Sequence, residues 1–138
     1  MIEEVKYSLE KLKKAFKRLD EAVKEASDEL DRDGVIQRFE FTFETFWKTI
    51  EILLGYEGFR CAGPRSCLKE AARRGFLQDA EVALDMLEDR NRSSHIYDEI
   101  MAEEIFNRIK ENYVEVISRN IKLFEDYISG KRDSHDES

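Results

Sequence analysis

Asp89-Arg90-Asn91-Arg92-Ser93-Ser94-His95-Ile96-Tyr97-Asp98 is the one stretch of this 138-residue chain that crowds chemically capable side chains together without an apolar repeat. An imidazole titrates near neutrality and can take or give a proton. A guanidinium grips phosphate through two parallel hydrogen bonds that strengthen as charge builds on the oxygens. Metal-free cleavage of an RNA phosphodiester asks for that set: a base for the 2′-hydroxyl, an acid for the leaving oxygen and a cation for the charge on phosphorus. One chain offers a single motif histidine, His95. A two-fold dimer that paired the motifs would offer two, with two copies each of Arg90 and Arg92.

On one unbroken helix Arg90 and His95 would point roughly 140° apart and could not share a substrate. Asn91, Ser93 and Ser94 favour caps and turns, so the sequence predicts that one helix ends here and another begins. Such a break could turn Arg90, His95 and Tyr97 towards one another. A purely structural role stands beside this reading: Arg90 and Arg92 would offset a helix dipole, Asn91 would cap, and His95 and Tyr97 would pack against the bundle end.

The elements that must position this stretch read as helices. Val5, Leu9, Leu12, Phe16, Leu19, Val23, Ala26 and Leu30 step by fours and threes, predicting a helix over about residues 3–31 that closes at Asp31-Arg32-Asp33-Gly34, with Gly34 as C-cap. Phe39, Phe43, Phe46, Trp47, Ile50, Leu53 and Leu54 continue at helical spacing over about 35–54. Phe41 lies off that face and is expected at a subunit contact. The glycines and the proline of Gly55–Ser66 mark a loop, after which Ser66 is expected to cap a short helix ended by Gly75. Asp79 opens the next helix, with Val82, Leu84, Met86 and Leu87 as apolar positions. The last begins near Asp98 and buries Met101, Ile105, Ile109, Val116, Leu123 and Phe124. The expected fold is all-α, an up-and-down four-helix bundle with one additional short helix over residues 1–128, followed by a disordered tail over 129–138.

Composition narrows the function. A net charge of −8 opposes non-specific binding to a polyanion, so any nucleic-acid contact must be local. No apolar run approaches a membrane span and the N-terminus lacks a signal-peptide pattern, so a cytoplasmic protein without a membrane partner is expected. Cys61 and Cys67 match no common zinc spacing and are expected as reduced thiols. With His95 and His135 the only histidines, no metal site and no cofactor are expected.

Arg90, four residues, His95, one residue and Tyr97 together resemble the signature of HEPN-domain proteins. In particular the chain is similar to the nucleotidyltransferase substrate-binding proteins, encoded beside a minimal nucleotidyltransferase. Arg38-Phe39-Glu40-Phe41-Thr42-Phe43-Glu44 with Trp47-Lys48, Pro64-Arg65, and Ala72 followed by Gly75 carry the resemblance over about residues 3–128. Ala83 departs from it, standing where relatives often carry a large aromatic residue. The resemblance implies a homodimeric helical bundle, paired with the nucleotidyltransferase and acting on RNA as a metal-independent ribonuclease toxin. Arg90 and His95 would be catalytic, Asn91 would help to hold the site, and Tyr97 would receive AMP from the nucleotidyltransferase. The added bulk and charge would block the site. The alternative it implies is a non-catalytic substrate-binding or acceptor subunit.

Overall fold

A computed structural model describes residues 2–95 and 98–137, with side chains through Lys131. Its elements are α1 (Ile2–Glu25), α2 (Glu29–Tyr56), α3 (Pro64–Arg73), α4 (Ala80–Ser93), α5 (Glu99–Arg108), a π-helical turn (Ile109–Tyr113) and α6 (Val114–Glu137). The π turn joins α5 to α6 without a loop, so α1, α2, α4 and α5–α6 form the expected bundle and α3 is the additional short helix.

The first break falls earlier than the apolar spacing predicts. Asp28 caps α2, its Oδ1 accepting the Asp31 backbone N–H at 2.8 Å, while the Asp31 carboxylate accepts the Ser27 N–H at 3.0 Å. These reciprocal bonds satisfy backbone donors that a new helix start leaves unpaired. They override the coincidence of register at Leu30, which is exposed on α2, and Gly34 lies inside α2 rather than capping α1.

Helix α2 is the central element, packed against α1, α3, α4 and α5. Its Phe39, Phe43, Phe46, Ile50, Leu53 and Leu54 are buried, and each large apolar side chain so removed from water contributes about 1.5–3 kcal/mol. Phe39 stacks on Tyr113 at 5.4 Å and Phe46 meets Phe124 at 6.0 Å, which ties α2 to the π turn and to α6. Ala83 is fully buried on α4, so the departure at this position falls inside the core.

Gly63 (φ 88°) and Pro64 start α3, and Ser66, expected as its cap, instead accepts the Ala62 N–H at 3.0 Å. Gly75, at φ 80°, ends the helix as expected, with the Phe76 N–H reaching back to the Ala71 carbonyl at 2.8 Å. Cys61 and Cys67 are not reduced: their sulfurs are bonded to each other, because the loop folds back on the first turn of α3 and brings the two Cα atoms to 4.9 Å.

Candidate functional site

Helix α4 carries the candidate residues on its last turns. Its start is pinned from α6 by Asn120, whose buried side-chain amide donates to the Gln78 carbonyl at 3.0 Å and accepts the Gln78 N–H at 2.9 Å. Its end is where the turn-forming residues predict it. The Ser93 hydroxyl donates to the Arg90 carbonyl at 2.7 Å and the His95 N–H to the Arg92 carbonyl at 2.9 Å, and Asp98 caps α5 through the Ile100 N–H at 2.9 Å.

Successive helical residues project about 100° apart, and Asp89 and Arg90 use that angle to face opposite surroundings. Asp89 is buried, 1% exposed. Arg108 donates to it from Nε at 2.7 Å and Nη2 at 2.8 Å, the Tyr113 hydroxyl at 2.5 Å and Arg92 at 3.3 Å. The Asp89 hydrogen bond, against the effect of burial, raises the Arg108 pKa and keeps the guanidinium charged, while burial and then the bond to Asp89 push the Tyr113 phenol well above its usual range. The π turn forms at this contact: Tyr113 reaches Asp89 across the bundle from a helix whose register the wider turn has shifted.

Arg90 turns the other way, onto α2. It donates from Nη2 to Glu44 Oε2 at 2.5 Å and from Nη1 to Asn91 Oδ1 at 3.2 Å, and its side chain keeps 30% of its exposure. Glu44 also accepts the Trp47 indole N–H at 3.1 Å and pairs with Lys48 at 3.4 Å. Burial alone would raise the Glu44 carboxyl pKa, but Trp47, Arg90 and Lys48 outweigh it and hold the group below the usual carboxylate range. A guanidinium has five N–H donors, so these contacts leave Arg90 capacity for a further anion.

Arg90 and Asn91 are therefore together, whereas His95 is exposed in the turn beyond α4. No described hydrogen bond or ion pair joins its imidazole to Arg90. Tyr97 lies outside the described residues. Arg92 faces Asp89 and Glu88 rather than the Arg90 side. Sequence reasoning missed Glu44, Arg108 and Tyr113. The available signals were a glutamate beside the only tryptophan and an aromatic four residues after Ile109, but neither names its distant partner. Away from this site, Glu51, Cys61 and Cys67 offer ligand atoms within 4.8 Å of one another, yet the bonded sulfurs lack the thiolates that a metal would take.

The family model described as "Nucleotidyltransferase substrate binding protein like" matches residues 7–125. A protein of Thermus thermophilus, known from its crystal structure, is 34% identical to this chain. The match covers 85% of this chain and 98% of that one, with a TM-score of 0.71. No curated protein matches.

Proposed function

The chain belongs to the nucleotidyltransferase substrate binding protein like family, and from that membership we propose that it is the HEPN subunit of a pair with a minimal nucleotidyltransferase and cleaves RNA without a metal. The observation that carries the proposal is the end of α4, where a partly exposed guanidinium on the last turns of the helix is followed by an exposed imidazole in the turn beyond, on an otherwise acidic protein.

In this reading the His95 imidazole takes the proton of a 2′-hydroxyl, whose oxygen attacks the adjacent phosphorus. The bond from phosphorus to the 5′-oxygen breaks, and that oxygen takes a proton from the protonated His95 of a second copy in a homodimer. Arg90, oriented by Glu44 and Asn91, offsets the charge growing on the phosphoryl oxygens. AMP transferred to Tyr97 by the nucleotidyltransferase would add bulk and negative charge to the motif and silence the pair.

The test is cleavage of single-stranded RNA in EDTA. The wild-type chain cleaves and His95→Ala loses at least about a hundredfold of the rate; equal cleavage by both contradicts the assignment. The family description favours a second reading, a non-catalytic acceptor subunit. A wild-type chain that binds the nucleotidyltransferase and accepts label from ATP, yet never cleaves RNA, would decide for it.

A further inference from the structure

Four large hydrophobic side chains stand exposed among the described residues, and two of them, Tyr7 (70% exposed) and Phe41 (62%), border one hollow between α1 and α2. The hollow measures about 310 Å³ and is flanked by Lys11 and Lys48, with Lys11 lying 5.8 Å from the Tyr7 ring. One wall is Glu44, the carboxylate that holds Arg90, so the hollow and the candidate site share a residue. On its other side Phe41 borders a second hollow, of about 250 Å³, with Arg18 and Arg38 at its rim. Around these two hollows Lys11, Lys48, Arg18 and Arg38 outnumber Glu4 and Glu44, against the sign of the whole chain; Glu44 leads on to Arg90, and Glu21 and Glu25 meet Arg18 and Arg38 in the next hollow along.

We propose that this face binds a single-stranded nucleic-acid segment, with bases stacked on Phe41 and Tyr7 and backbone phosphates tracked by the basic residues into Arg90. Stacking platforms set among cations are what a strand requires, because every base has a flat face and every linkage a charge. The same features disfavour the subunit contact expected for Phe41. A two-fold contact sets a patch against itself, and this patch would oppose its own excess of positive charge. The inference extends the RNA-cleavage reading and rests on it for the identity of the strand.

The test uses the full-length His95→Ala protein, so that binding is read without turnover, and the polarisation of a fluorescein-labelled octaribonucleotide of A and U. Phe41→Ala and Tyr7→Ala should each weaken binding by roughly tenfold or more, and Phe41→Trp should restore it. Lys48→Ala should lower the salt slope of log K by about 0.7, and Leu30→Ala, which removes an exposed side chain elsewhere, should change nothing. AMP at large excess should leave the oligomer bound; displacement by AMP alone would make this a mononucleotide site and overturn the strand reading. Unchanged affinity in both aromatic variants, or a dimer that Phe41→Ala turns into monomer on a sizing column, would overturn it as well. Wild-type protein that never cleaves RNA, beside His95→Ala protein that binds as described, would sink the nuclease reading alone.

Discussion

Asp89 and Arg90 are neighbours in sequence and opposites in setting. Asp89 is a buried charge with its oxygens occupied by Arg108, Tyr113 and Arg92, and it ties α4 to the junction of α5 and α6. Arg90 is a half-exposed charge on one carboxylate and one amide, with donors to spare. A buried charge that loses its partner cannot be resolvated, whereas a charge at the surface can turn to water. The comparison therefore assigns α4 two jobs at adjacent positions: one residue holds the helix end still, and the next presents a cation from it.

The largest effect that would break this contrast is on the buried side. Arg108→Met should cost about 3 kcal/mol in urea unfolding, because Asp89 keeps its burial and loses its strongest partner. A cost below about 1 kcal/mol would mean that water reaches Asp89 and that the two settings are alike. The exposed side should respond weakly to pH. The folded Glu44 pKa is lowered, so its stabilisation is present above the unfolded glutamate value of about 4.3 and is lost as pH falls through the lower folded value. Glu44→Gln should remove that part of the acid dependence while changing stability at pH 7 by less than about 1 kcal/mol, since both partners are partly solvated. An unchanged acid limb would count against the Glu44 assignment.

The distribution of what could be read from the sequence follows the same divide. Periodic apolar positions from Phe39 to Leu54 and from Ile105 to Phe124 place the core, and Asn91, Ser93 and Ser94 place the end of α4, because these are local signals of helix face and helix break. The start of α2 was displaced because Leu30 keeps the register of α1 while Ser27 to Asp31 cap a new helix. Pairings across the bundle were not legible. Arg90 meets Glu44 across 46 positions and Asp89 meets Tyr113 across 24, and nothing in the local pattern names such partners. The Cys61–Cys67 bond was missed for a related reason, since spacing alone does not show that the loop turns back on α3.

We propose that Arg90 serves chemistry and not the fold. The direct measurement takes one preparation of Arg90→Ala and determines both its urea unfolding midpoint and its cleavage of single-stranded RNA in EDTA. The account predicts a stability within about 1 kcal/mol of wild type and cleavage reduced by two or more orders of magnitude, about 100-fold at the least. Cleavage at the wild-type rate, or loss of the folded state along with the activity, would contradict it.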